Sequence, residues 1–219
     1  MPVSKDDRLQ TILLVDDHPI VRRGLRQLFE HEPDLTVCGE AEDIASALEA
    51  AARLEPDLAL VDLSLQGRSG LELTRQLQIY HPSLPVLILS LHDEKLYAKR
   101  ALRAGAKGYV MKRRADTDIL HAARQVLAGH CYVSPAVQEQ LHETLEEATF
   151  DVSHLTDREF EVFLLIGQGY APRHIAEQLS LSVSTVEVYR QHLKDKLNLG
   201  SATELRRYAI TWFKEHESA

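Results

Sequence analysis

Apolar residues in the first 130 positions follow two alternating patterns. Short continuous runs at residues 12–15, 35–39, 58–61, 86–89 and 108–111 read as strands. Between them, helical periodicity begins near Pro19, Ile44, Gly70, Asp93 and Asp116. Leu25, Leu28 and Phe29, for example, hold the i, i+3, i+4 spacing of a buried helix stripe. This alternation predicts an α/β, doubly wound (βα)5 unit, in which helices cover both faces of a parallel five-stranded sheet. Such sheets place their ligand sites beyond the carboxyl ends of the strands.

After residue 130 the pattern changes. Pro135 and the acidic run Glu143, Glu146 and Glu147 mark residues 131–152 as a linker containing one short helix. From residue 153 the chain reads as a small all-α unit of four helices. Thr156-Asp157-Arg158-Glu159 is a capping box, Gly167 and Gly169 supply a stop, and Ala171-Pro172 supplies the next start. A third helix opens near Ser182, and Ser201-Ala202-Thr203-Glu204 is a second capping box. The expected division is therefore 10–130, a linker at 131–152, and 153–219.

The polar residues at the strand ends carry the candidate chemistry. Asp16-Asp17 follows the first run, Asp62 the third, Ser90 the fourth and Lys112 the fifth. A single Asp after a strand is usually a turn or helix cap. These five in this order, at the ends of strands of one sheet, are hard to produce by capping alone. Three carboxylates in one crevice repel one another unless a cation screens them, and all-oxygen ligation suits Mg²⁺. A carboxylate on a metal, beside a lysine and a hydroxyl, is an acceptor site for phosphoryl transfer.

Leu13-Leu14-Val15-Asp16-Asp17-His18-Pro19, Leu60-Val61-Asp62-Leu63, Leu87-Ile88-Leu89-Ser90 and Gly108-Tyr109-Val110-Met111-Lys112 resemble the receiver-domain signature of two-component systems. The resemblance implies that Asp62 accepts the phosphoryl group from a sensor histidine kinase. It also implies that Asp17, Asp62 and the backbone carbonyl of Ser64 bind Mg²⁺ directly, and Asp16 chiefly through water. Lys112 and Ser90 would hold the phosphoryl oxygens, and Tyr109 stands where the family's switch aromatic lies. The turn after Asp62 lacks the proline common in the family, but Gly67 and Gly70 still permit a tight turn.

The formal charge of −8 argues against a protein that coats nucleic acid without regard to sequence. That charge is uneven, about −7 before Ser153 and about −1 from there on. The near-neutral part has a local cationic face. In its third helix Val186, Tyr189, Leu193 and Leu197 share one side and should face the core, which turns Arg190, Lys194 and Lys196 outward. The motifs Leu155-Thr156-Asp157-Arg158-Glu159-Phe160-Glu161-Val162, Ile175-Ala176-Glu177-Gln178-Leu179 and Ser184-Thr185-Val186-Glu187-Val188-Tyr189 resemble the LuxR-type helix-turn-helix domain. Joined to a receiver, this domain marks the NarL/FixJ subclass of response regulators. The resemblance implies promoter DNA as partner, with Glu187, Val188 and Gln191 facing bases and Thr185, Arg190, Lys194 and Lys196 near the backbone. Glu187 replaces a common lysine, and Tyr189 a common histidine, at this reading surface.

The same reading implies a homodimer formed on phosphorylation or on DNA, with RNA polymerase as a further candidate partner. Leu205, Tyr208, Ala209 and Trp212 form one stripe of the last helix, fit either for a dimer contact or for core packing. Cys38 and Cys131 lack metal-ligand spacing and are expected as free thiols. No apolar stretch approaches the ~18 residues of a membrane span and no signal-peptide core is present, so a cytoplasmic protein without membrane contact is expected. Two rival functions are weighed. A receiver could act by protein contact alone, with the helical unit as docking module; the cationic helix face disfavours this. A phosphohydrolase would need its own acid or base, and the one histidine beside the aspartates, His18, reads as a helix-start residue.

Overall fold

In the computed structural model, which describes residues 9–65, 68–113, 116–143 and 152–217, five strands form one parallel sheet. These are β1 (Gln10–Val15), β2 (Leu35–Ala41), β3 (Leu58–Asp62), β4 (Val86–Ser90) and β5 (Gly108–Met111), in the order β2-β1-β3-β4-β5. β3 and β4 are buried along their whole length, which is why they read as unbroken apolar runs. On one face, Leu25 and Phe29 of α1 (Pro19–Glu30) and Ile119 and Val126 of α5 (Asp116–Leu127) pack on Ile12, Leu14, Leu60 and Leu87. Alternate strand residues point to the opposite face, where α2 (Ile44–Leu54), α3 (Gly70–Tyr80) and α4 (Glu94–Arg103) lie. The (βα)5 doubly wound arrangement is as expected.

Strand order reverses between β1 and β3, so a crevice opens beyond their carboxyl ends. Gly70, the first residue of α3, closes tightly over that end. Its N–H donates to the Leu63 carbonyl at 2.6 Å, and a Cβ there would stand 2.0 Å from the Asp62 carbonyl oxygen. Only glycine permits this approach.

The far edge of the sheet is extended by one more residue. Tyr132 donates to the Lys107 carbonyl and accepts from the Tyr109 N–H, both at 2.9 Å, bridging to Gly108 in parallel sense. Val133 and Val137 are buried, and Ser134 Oγ accepts from the Val137 N–H at the start of α6 (Pro135–Glu143). Residues 131–143, read from sequence as the first part of a linker, thus include a sheet-edge residue and a helix. Glu146 and Glu147 lie outside the described residues, as does Gly67.

The chain divides into two compact units, residues 1–141 and 142–219. Among its described residues the second holds a short 3₁₀ turn at Val152–His154 and four α-helices, α7 (Asp157–Gly167), α8 (Pro172–Gln178), α9 (Val183–Lys196) and α10 (Ala202–Glu217). The first capping box is complete: Thr156 Oγ1 accepts from the Glu159 N–H, and Glu159 Oε2 accepts from the Thr156 N–H at 2.8 Å. The second is only half formed. Ser201 Oγ accepts from the Glu204 N–H, but the Glu204 carboxylate takes the Gly200 N–H, one residue earlier than the box requires. Arg158 donates to the Leu179 carbonyl at 2.6 Å, tying α7 to the C-terminal end of α8.

Three of the four residues of the α10 stripe are packed inside the unit. Leu205 and Ala209 are fully buried and Trp212 nearly so, with Trp212 edge-on to Phe160 and Phe163. These three side chains are spent inside the unit, while Tyr208, the fourth of the stripe, is half-buried. Gly167 allows the approach, since a Cβ there would stand 2.7 Å from the Ala209 carbonyl oxygen. Because Trp212 is the chain's one tryptophan, its fluorescence reports on this unit. Thr156→Ala should lower the unit's unfolding free energy by about 1 kcal/mol, read from denaturant titration of that fluorescence.

Candidate functional site

The crevice brings together the residues expected there. β1 runs into Asp16 and Asp17, β3 ends on Asp62, β4 ends on Ser90, and Lys112 follows β5. Lys112 Nζ lies 2.6 Å from Asp16 Oδ2 and 2.8 Å from Asp62 Oδ2, with all three side chains buried or nearly so. Asp16, Asp17, His18 and Asp62 each offer a ligand atom within 4.8 Å of the others. Three carboxylates and one ammonium leave a net negative pocket, and this oxygen-rich donor set fits a hard divalent cation. The mouth of the loop is held from outside by Arg22, whose Nη1 donates to the Asp16 carbonyl at 2.5 Å.

Burial pushes the Asp62 carboxyl up to about 6; Lys112 pulls it down, Asp16 pushes it up again, and the Ser64 N–H stabilises its ionised form. The group is therefore mostly ionised at neutral pH yet poorly solvated. Burial acts to lower Lys112, but Asp62 and Asp16 outweigh it and hold the ammonium above its ordinary value. Ser90 is fully buried, and its Oγ accepts from the His92 N–H at 3.0 Å. Tyr109, 1% exposed, donates its hydroxyl to the His92 carbonyl at 3.0 Å. Burial drives the phenol well above its usual range. Ser90 and Tyr109 thus touch each other and share a third residue, His92, which the sequence did not single out.

His18 is the second residue not anticipated here. It does sit at the N-cap of α1, but its side chain makes no cap bond. Its Nδ1 lies 2.7 Å from Asp17 Oδ1 and 3.3 Å from Asp16 Oδ1, while its N–H donates to Asp16 Oδ1. The adjacent acidic pair was the available signal. Ser64, two residues beyond Asp62, places its hydroxyl 3.4 Å from His92 Nε2.

In the helical unit, Leu179–Ser182 make the turn between α8 and α9, with Ser180 in the left-handed region at φ 52° and Ser182 capping α9 through the Thr185 N–H. Val186, Leu193 and Leu197 are buried and Tyr189 is half-buried, as the helical period predicts. Glu187, Val188, Gln191 and Lys196 are exposed; Thr185, Arg190 and Lys194 are half-buried. The cations are less available than expected. Arg190 Nη1 is 2.6 Å from Glu187 Oε1, and Lys196 Nζ is 2.6 Å from Glu159 Oε2. Burial pushes Glu159 up, but the bonds from Lys196 and Thr156 win and hold it below the usual carboxylate range. Gln191 Nε2 donates to Asp195 Oδ1 at 2.9 Å.

Two measurements follow from the crevice. A carboxyl raised from about 4 to about 6 on folding destabilises the native state above pH 6 and ceases to do so below pH 4. In chelator, the first unit should therefore lose stability as pH rises from about 4 to 6, and Asp62→Asn should flatten that slope and add on the order of 1–3 kcal/mol at pH 7. Gly70→Ala must displace the Asp62 backbone, so modification of Asp62 by a small phosphodonor should slow roughly a hundredfold, measured by intact-protein mass spectrometry.

A family model described as response regulator receiver domain matches residues 12–124, and one described as bacterial regulatory proteins, luxR family, matches residues 153–209. The chain is 35% identical to the oxygen regulatory protein NreC of Staphylococcus carnosus (strain TM300) over 208 residues, 91% of this chain and 96% of that protein. Among solved structures it resembles a LuxR-family two-component response regulator from Aurantimonas sp. SI85-9A1, at 37% identity and TM-score 0.57, covering 61% of this chain and 95% of that one. It also resembles RcsB from Salmonella enterica serovar Typhimurium bound to promoter rprA, at 25% identity and TM-score 0.59, covering 92% and 98%. With both halves matched and the NreC likeness running nearly end to end, the chain belongs to the two-component response regulators that join a receiver domain to a LuxR-type DNA-binding domain.

Proposed function

We propose that Asp62 is the phosphoacceptor of this regulator and that its modification controls promoter binding through α9. The observation that carries the reading is the contact of Lys112 with both Asp62 and Asp16 at the strand-order reversal, where an ionised but poorly solvated carboxylate faces a fixed cation. The donor is a sensor histidine kinase's phosphohistidine. An Asp62 oxygen forms the new bond to phosphorus, the phosphorus–nitrogen bond breaks, and the donor imidazole leaves. Asp17, Asp62 and the Ser64 carbonyl would hold Mg²⁺ directly and Asp16 through water, and the ion would supply charge neutralisation for the transferring group. Lys112 then gives its ammonium to a phosphoryl oxygen, and Ser90 Oγ turns from the His92 N–H to donate to another.

That turn loosens His92, whose carbonyl holds Tyr109. Because the Tyr109 N–H is bonded to the Tyr132 carbonyl, a shift of Tyr109 is passed to the backbone leading into α6. On DNA, Glu187, Val188 and Gln191 face base edges in the major groove, and Thr185, Arg190, Lys194 and Lys196 approach phosphates. The working form is a homodimer reading paired half-sites, a reading supported by the likeness to RcsB, seen as two dimers bound to two parallel DNAs. The working division is a receiver at 10–130, a connecting segment at 131–152 and a DNA-binding domain at 153–219. No helix among the described residues is long and apolar enough to cross a membrane, in keeping with action in the cytoplasm.

The test supplies Mg²⁺ and acetyl phosphate to the full chain. A single phosphoryl adduct should appear on Asp62, vanish in Asp62→Ala and in excess chelator, and strengthen salt-dependent footprints on genomic promoter fragments. An adduct elsewhere, or footprints indifferent to Asp62, would overturn the reading. Binding to protein partners without a salt-dependent DNA footprint would favour the docking alternative instead.

A further inference from the structure

The outward side of α9 is self-neutralised. Glu187 holds Arg190 at 2.6 Å and Asp195 holds Gln191 at 2.9 Å, while Glu159, from α7, holds Lys196 at 2.6 Å. Among the described residues, Lys194 is the one cation expected on this face that has no acid partner. A DNA strand approaching α9 therefore meets donors already engaged, and a half-exposed carboxylate, Glu187, in their midst.

For Arg190 to reach a phosphate it must leave Glu187 or bring Glu187 with it. Bringing it sets a carboxylate against phosphates, which is repulsive. Leaving it strips an acceptor-only group of its donor on entry into the groove. The base edge that can replace the guanidinium is the cytosine N4 amino group. The adenine amino group lies beside the N7 acceptor, and guanine and thymine present acceptors there. Exchange is balanced at cytosine and unbalanced elsewhere.

We infer that Glu187 is a specificity-determining residue acting as an internal counter-ion, holding Arg190 off the DNA backbone until a cytosine amino group takes the guanidinium's place. The inference rests on the reading of α9 as the groove-entering helix. It gives the glutamate, where relatives commonly carry lysine, a second task besides base contact: it weakens binding to every site that lacks the cytosine. An exposed i, i+3 pair is modest in energy, so the gate trims non-specific binding without abolishing it.

The experiment uses the full chain phosphorylated with acetyl phosphate and Mg²⁺, and two probes: a duplex of A·T pairs only, and a random-sequence duplex pool. On the A·T duplex, Glu187→Ala should bind about threefold tighter than wild type. The slope of log affinity against log salt should steepen by about 0.9, one extra phosphate contact. In an Arg190→Met background the steepening should disappear. From the pool, wild type should enrich one cytosine per half-site that Glu187→Ala no longer enriches. An unchanged slope, a steepening that survives without Arg190, or cytosine enrichment that survives without Glu187 would each overturn the gate. Lys194→Gln keeps the underlying reading separate. If it leaves DNA affinity and slope untouched, α9 is not the DNA helix and the gate falls with that reading; if it weakens binding, a negative result with Glu187→Ala counts against the gate alone.

Discussion

Three carboxylates share a pocket whose walls are the carboxyl ends of β1 and β3, and water reaches little of it. Burying one such charge unpaired is costly, and burying several together is worse. Lys112 makes the arrangement tolerable by lying within 2.8 Å of two of them. Its reach depends on β5 ending where it does, which depends on the register of β5 with β4, and so on across the sheet. The raised Asp62 shows that the compensation is incomplete. The pocket stays short of positive charge, and that shortage is what fits it to a divalent cation. Stability is spent here to keep a carboxylate poorly solvated.

The same residues explain how far the sequence could be read. The strands were legible because two of them are buried on both faces, so apolar runs stand out between amphipathic helices. The crevice followed from topology, since a parallel sheet collects the residues at its strand ends. What stayed hidden depends on single torsions or single contacts. His18 could turn its ring toward solvent or toward Asp17, and nothing in a linear pattern chooses. His92 acts through its backbone, joining Ser90 and Tyr109, and backbone roles leave no side-chain signature. Tyr132 extends the sheet by one residue, too short to register as a strand. Gly70 looked like a turn glycine, whereas the close approach of α3 to Asp62 is what excludes a side chain.

In the helical unit the caps were readable and the charges were not. Thr156 and Glu159 form the box that the motif announces, but Glu159 also binds Lys196, 37 residues away. A local motif cannot reveal that its acid serves a second helix. Counting Arg190, Lys194 and Lys196 as one cationic cluster treats each as independent, while in the fold two of them are already neutralised. The α10 stripe shows the reverse case. Its apolar period suited either an interface or a core, and the aromatic contacts of Trp212 with α7 put that residue in the core while Tyr208 stays half-buried.

A reading surface that is nearly neutral has a consequence for control. A strongly basic helix would hold DNA whatever the state of the receiver, since phosphate attraction is indifferent to sequence and difficult to switch off. With Arg190 and Lys196 tied internally, α9 offers a random duplex fewer free cations than its sequence suggests. Two copies joined on paired half-sites convert the second contact into an intramolecular one, so modest single-site affinity becomes firm occupancy only when both are engaged. On the proposed reading of Asp62 and α9, modest binding by one copy is what gives phosphorylation something to govern. If the outward face were fully cationic, phosphorylation of the receiver would be adding to binding already saturated.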